Sequence, residues 1–139
     1  KDKLWNSGTE TKPVKTEYDP CPTGWRVPLH SELETLCGNH SSWVANESGV
    51  MGYWFCGSTP YGDGVMQIFL PAAGSRSGIV KNAEGKNRDV KGSYYSSRYY
   101  RDSSEGGLGA YLLSFDSTSV RVGYNLARSS GLSVRCVRE

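Results

Sequence analysis

At 139 residues, 37% hydrophobic and 22% charged, the chain suits a single domain that buries roughly two-thirds of its unfolded surface. Its net charge of +2, with basic residues scattered singly, argues against a nucleic-acid partner, which would call for a Lys/Arg stripe with interleaved aromatics. No apolar run approaches the roughly 18 residues of a membrane span and no charged start leads into an apolar signal core, so membrane insertion is not expected, and the abrupt start at Lys1 reads as the trimmed C-terminal part of a larger protein.

In chain order, the first clear element is a short helix at about 31–38, where Ser31 and Glu34 have capping-box spacing, Leu33 and Leu36 share a face, and Gly38 ends the run. Short strands follow, separated by Gly, Ser, Asn and Asp: 53–56, 65–70, 94–97, 110–115, 119–124 and 132–138. The alternation is sharpest in the fourth, which places Tyr111, Leu113 and Phe115 on one face and Leu112, Ser114 and Asp116 on the other. After a turn at Ser117 and Thr118, Val120 and Val122 continue the apolar face, predicting a hairpin with one side in the core and one side free. The aromatics Trp25, Trp43, Tyr53, Trp54 and Phe55 are expected in the core, and His30 and His40 in solvent-facing turns.

Nothing in the sequence assembles a catalytic constellation, so no enzyme is expected. There is no GxSxG elbow, and the spacing of Asp63, Asp102, Glu105 and Asp116 fixes no pair on one element. Gly106 to Gly109 lacks the Lys and helix of a phosphate loop. Cys21, Cys37, Cys56 and Cys136 form no CxxC pair, which argues against zinc; their even number in a Gly- and Ser-rich chain suits disulfides and an oxidising compartment, with several connectivities open.

The strongest compositional signal lies in residues 93–135, which are dense in Tyr, Ser, Gly and Arg. Lys, Gln, Glu, Met and Trp occur there once in 43 residues, at Glu105, against 20 times in the first 92. Tyr supplies rigid contact area and Ser, Gly and Asn supply adaptable hydrogen bonds, so this stretch reads as a recognition surface.

Three blocks carry a family resemblance: Asp19-Pro20-Cys21-Pro22-Thr23-Gly24-Trp25-Arg26-Val27-Pro28, then Leu70-Pro71-Ala72-Ala73-Gly74-Ser75-Arg76, and finally Gly131-Leu132-Ser133-Val134-Arg135-Cys136-Val137-Arg138. With the helix between the first two, they resemble the Fibrobacter succinogenes major paralogous domain of surface proteins in Bacteroides-like bacteria. The resemblance implies an α+β, C-type-lectin-like fold: one domain over 1–139 with a small twisted antiparallel sheet, one or two helices and long irregular loops. Chain ends meet in such a fold, which implies a Cys21–Cys136 disulfide and leaves Cys37 with Cys56 as a second. It also implies an extracellular or cell-surface location and a place within a larger surface protein or pilus.

The tail further resembles the variable proteins of diversity-generating retroelements, in which AAY codons are rewritten to NNY codons that encode none of the five depleted residue types. Two positions depart from that pattern: Glu105, which no NNY codon encodes and which reads as a fixed loop residue, and Tyr95, which stands where relatives often carry Trp and has a core position as its alternative. The resemblance implies a scaffold over about 1–92 and a variable ligand-binding region over about 93–131. Constant positions would be Gly92, Ser96, Ser97, Ala110, Tyr111, Leu113, Phe115, Val120, Val122, Arg128 and 131–137. Ligand-binding positions would be Tyr95, Arg98, Tyr99, Tyr100, Arg101, Asp102, Ser103, Ser104, Leu112, Ser114, Asp116, Ser119, Arg121, Gly123, Tyr124, Asn125, Leu126 and Ser130. The expected activity is recognition of a protein or glycan on another cell or surface, without metal or cofactor. A pilus-tip or stalk module and a fixed-specificity carbohydrate-binding adhesin are the alternatives.

Overall fold

A computed structural model describes residues 3–76, 87–101, 108–127 and 129–139, with only the backbone described at Arg101, Leu108 and Tyr124. Asp102, Ser103, Ser104 and Glu105 therefore lie outside the described residues, as do Gly106, Gly107 and Arg128. The described elements are β1 (Trp25–Arg26), α1 (His30–Leu36), β2 (Val44–Ala45), β3 (Met51–Phe55), β4 (Ile68–Pro71), β5 (Lys91–Arg101), β6 (Leu108–Asp116), β7 (Val120–Ala127) and β8 (Val137–Arg138). They form antiparallel sheets of order β1-β8, β2-β3-β4 and β5-β6-β7. Small antiparallel sheets with one short helix place the chain in the α+β class.

Aromatic rings of both three-stranded sheets meet on Phe115, which is 1% exposed. Its ring lies 5.7 Å from Tyr53, 5.7 Å from Phe55 and 5.9 Å from Tyr94. Leu33 of α1, Leu70, Ala72 and Leu113 complete this cluster. Buried tyrosines keep their hydroxyls bonded, Tyr53 donating to the Asp116 carbonyl and Tyr94 to that of Pro71, both at 2.8 Å. The sequence places Trp25 with this core, but it is 44% exposed, because the two-residue β1–β8 ladder lies at the surface with one face open.

The helix begins earlier than the Ser31–Glu34 spacing predicts. Leu29 is its N-cap, and Glu32 reaches back to accept the Leu29 amide at 2.8 Å. Arg26 grips the same carboxylate with bonds of 2.8 and 2.6 Å, and this bidentate hold fixes the start at His30. Burial alone raises the Glu32 carboxyl, but the Arg26 bonds and the Leu29 amide bring it below its ordinary value. Ser31 turns instead to Glu10, donating through both its amide and its hydroxyl at 3.3 Å.

The Cys21–Cys136 disulfide joins the first block to the last strand, with Cα atoms 5.9 Å apart. It closes a sequence separation of 115 residues, for which chain entropy in the unfolded state implies about 5 kcal/mol. Buried Asp19 braces this corner by accepting the Cys21 amide at 2.8 Å and the Val27 amide at 2.9 Å. The expected second disulfide is corrected: Cys37 and Cys56 are free thiols. Their segments adjoin, with Cys56 donating its amide to the Asn39 carbonyl, yet Cys37 packs on the core cluster while Cys56 lines an outer groove with Leu36 and Trp25. Burial pushes the Cys37 thiol up to about 12.

Candidate recognition surface

The β5-β6-β7 sheet carries the sequence-predicted site residues, and two irregularities decide which of them reach the surface. Between β5 and β6 the register passes from Tyr95↔Leu112 to Tyr99↔Ala110, so Ser96, Ser97 and Arg98 bulge opposite Tyr111. Ser96 holds the bulge by donating its hydroxyl to the Tyr111 carbonyl at 2.8 Å, and the Ser97 amide turns outward to Pro28 at 2.7 Å. Between β6 and β7 the register passes from Leu112↔Tyr124 to Leu113↔Val122, leaving Gly123 unpaired. Its φ of 103° suits glycine, and a Cβ there would stand 3.9 Å from the His30 ring. Gly123 is thus a bulge residue that shapes the sheet.

The bulge re-aims the end of β5. Arg98 lies over the Tyr111 ring, 4.9 Å from its centroid, and Tyr100 meets the same ring edge-on at 5.6 Å. Beneath, the His30 ring stands 5.1 Å from Tyr111. His30 is 7% exposed, contrary to its expected place in a solvent-facing turn, because as the first residue of α1 it packs against β6. Its Nε2 lies 3.3 Å from Glu34. His40 is exposed, as expected, with its ring against Tyr53 and Phe55.

Two adjoining hollows flank this end of the sheet, separated by Ser97 and Tyr99. One, of about 210 Å³, is lined chiefly by apolar side chains including Leu4, Trp5, Ala110, Leu132 and Val134. The other, of about 450 Å³, is mixed, lined among others by Lys3, Thr9, Glu10, Arg98, Tyr100 and Tyr111. Their far walls come from the N-terminal segment, which doubles back on itself through the Ser7 amide to Val14 at 2.9 Å and the Asn6–Lys15 bridge. Lys15 anchors that segment on the carbonyls of Cys21, Pro22 and Trp25. By sequence this segment belongs to the scaffold over about 1–92. Its only local signal is Trp5, a lone aromatic in a polar stretch, whose ring packs 5.5 Å from Tyr95.

The predicted free face needs correction. Tyr95, Leu112 and Ser114 are 5%, 0% and 8% exposed. The second face of the sheet is therefore not open at these positions: Trp5 packs on Tyr95, and the segment through Ser133 runs along the β5 edge, where the Tyr95 amide donates to the Ser133 carbonyl at 3.0 Å and the Ser133 amide to that of Ser93 at 3.1 Å. Tyr95 donates its hydroxyl to the Ser130 carbonyl at 2.7 Å, with Ala127 at 3.3 Å, and burial raises the phenol above its ordinary value.

Asp116, Ser119 and Arg121 lie toward the other end of the sheet, Arg121 roughly 14 Å and Asp116 roughly 20 Å from Ala110, the residue opposite Tyr99, by strand rise. Asp116 spends its carboxylate on the turn, accepting from the Thr118 amide at 2.8 Å, the Thr118 hydroxyl at 2.7 Å and the Ser119 amide at 3.1 Å. The Thr118 hydroxyl and amide and the Ser119 donors hold its carboxyl below the usual range. Arg98, Tyr99 and Tyr100 therefore come together with the strand backbones of Arg101, Tyr124, Asn125 and Leu126, and Ser130 borders the apolar hollow.

Among the described residues no three His, Cys, Asp or Glu side chains come together as a metal-holding group. No described helix is long and apolar enough to cross a membrane. Compared with protein-family models, curated sequences and solved structures, the chain matches none.

Proposed function

We propose that the chain is a ligand-binding domain of a bacterial or phage-borne surface protein, with a C-type-lectin-like fold and a tail diversified by a retroelement. Its work is recognition without turnover, and its target is a protein or glycan on another cell or surface. The observation that carries this reading is the bulged end of the large sheet. There a Tyr- and Arg-rich stretch almost empty of Lys, Gln, Glu, Met and Trp borders two hollows on a rigid frame.

Several features support it. The Cys21–Cys136 disulfide suits an extracellular setting. Positions expected to be constant, Ser96, Leu113 and Phe115, are buried, while Arg98 and Tyr99 beside them are exposed. Tyr99 at 41% exposure offers an aromatic face, which also suits the second reading, an adhesin of fixed specificity that stacks sugars without metal.

Sequencing the encoding DNA and its flanks tests the first reading. A near-identical template repeat, with adenines aligned to the codons of the exposed positions, is the expected result. Its absence, together with the absence of a neighbouring reverse transcriptase, removes the diversified tail and leaves the fixed adhesin.

A further inference from the structure

We infer that the paired hollows take a ligand group that is aromatic at one end and anionic at the other, a ring within a few bonds of a carboxylate. This assignment deepens the recognition reading and rests on it. The apolar hollow has about 210 Å³, and a dry cavity of roughly 150 Å³ suffices for benzene, so one substituted ring fits it. Leu4, Trp5, Tyr99, Leu132 and Val134 offer that ring apolar and edge contacts.

The mixed hollow begins across Tyr99, within one side chain of the first. Lys3 and Arg98 are its cations and Glu10 its anion. Glu10 is already committed, since Oε2 accepts both the amide and the hydroxyl of Ser31. Arg98 enters no ion pair among the described residues; its guanidinium carbon lies over the Tyr111 ring, 4.9 Å from the centroid, and among the described residues no acceptor takes its side-chain donors. The charge balance favours an anion there, and a carboxylate matches the planar guanidinium. The shared wall, Tyr99, sets the distance between the two ends and selects for groups that carry both.

Two sources supply such a group: a free aromatic acid, or the C-terminal aromatic residue of a polypeptide. The test is a titration of the ¹⁵N-labelled chain with N-acetyl-phenylalanine, with N-acetyl-phenylalaninamide as the uncharged match and acetate as the ring-free match. The acid is expected to give saturable shifts at Ser97, Ala110 and Leu132 in the millimolar range, with the amide about tenfold weaker and acetate without effect.

Arg98→Gln should bring the acid down to the level of the amide and leave the amide unchanged. Tyr99→Ala should weaken both. A peptide ending in Phe that binds at least as tightly as the acid identifies a polypeptide end, and one that does not bind identifies a free acid. Equal binding of acid and amide, equal weakening of both by Arg98→Gln, or no saturable shift up to roughly 10 mM overturns the assignment. Target binding that falls on Tyr99→Ala while the acid gives no shift keeps the recognition reading and removes this one. Saturable acid binding without a template repeat in the DNA does the reverse to the diversified tail.

Discussion

The two ends of the β5-β6-β7 sheet are built from the same Ser-, Tyr- and Arg-rich alphabet and use it in opposite ways. At the turn end the strands pair in regular register, from Lys91↔Asp116 to Tyr95↔Leu112, and the polar groups serve the fold. Asp116 closes the turn, Tyr53 donates to its carbonyl, and Phe115 joins the two three-stranded sheets in one core. At the bulged end the register breaks between β5 and β6 and between β6 and β7, Arg98 leaves the ladder, and Tyr99, though paired with Ala110, stays exposed outside the core. Composition alone does not decide whether a Tyr or Arg stabilises or recognises; the position of the bulges does.

Perturbing the turn end should have the largest effect. A Cβ on Gly92 would fall 2.0 Å from Cζ of the Phe115 ring, at the centre of the core. Gly92→Ala should therefore cost about 2 kcal/mol or more in equilibrium denaturation, as overpacking of a closed site does. A cost below about 0.5 kcal/mol would mean that Phe115 is free to move, and the contrast between the two ends would fail.

Tyr95 lies between the ends and tests where one gives way to the other. Tyr95→Phe removes the donor to the Ser130 carbonyl and keeps the ring against Trp5. A loss of about 1 kcal/mol is expected in the same assay. An unchanged stability would mean that the bond to Ser130 contributes nothing net and that Tyr95 holds its place through ring packing alone.

Much of this arrangement is legible in the sequence, and what is not has a physical cause. The hairpin over Ala110 to Tyr124 appears where period-2 alternation predicts it, since Leu113 and Phe115 are core and Val120 and Val122 pack against it. The same alternation fails for Leu112 and Ser114, because period 2 separates two faces without saying whether a distant segment covers the second. At Tyr95, on β5, the ring that packs on it is Trp5, far away in sequence, and nothing local announces that contact. Likewise the Ser31–Glu34 spacing is a valid cap signal that loses to Glu32, because Arg26 holds the Glu32 carboxylate at the Leu29 amide. The two free cysteines lie on adjoining segments, Cys37 packing on the core cluster and Cys56 lining a groove, and an even count of cysteines does not encode which of them pair.

The carboxylate of Asp116 gives a gentler probe of the turn end. Its folded value lies below the ordinary 3.8, so its contribution is fully present above the unfolded value and is lost as pH falls through the lower folded one. Asp116→Asn keeps an acceptor and removes the titration. The stability advantage of the parent over this variant should shrink as pH drops below 3.8, as read from thermal melts at stepped pH. A gap independent of pH would mean that the turn donors do not sense the charge.

Tyr99→Ala should change stability least, within about 0.5 kcal/mol, because Tyr99 is 41% exposed and its side chain makes no hydrogen bond among the described residues. Binding should respond in the opposite proportion, losing about 2 kcal/mol for a central aromatic anchor. The pair of measurements carries more than either alone. A scaffold residue that affects binding does so by unfolding the site, so its two losses move together, as expected for Gly92. A recognition residue separates them, since the bulge at Ser96 to Arg98, held by the Tyr111 carbonyl and by Pro28, keeps the strand in place when the ring is removed. If Tyr99→Ala lowers stability as much as binding, the bulged end belongs to the fold in the same sense as the turn end, and the surface that recognises the target must lie elsewhere.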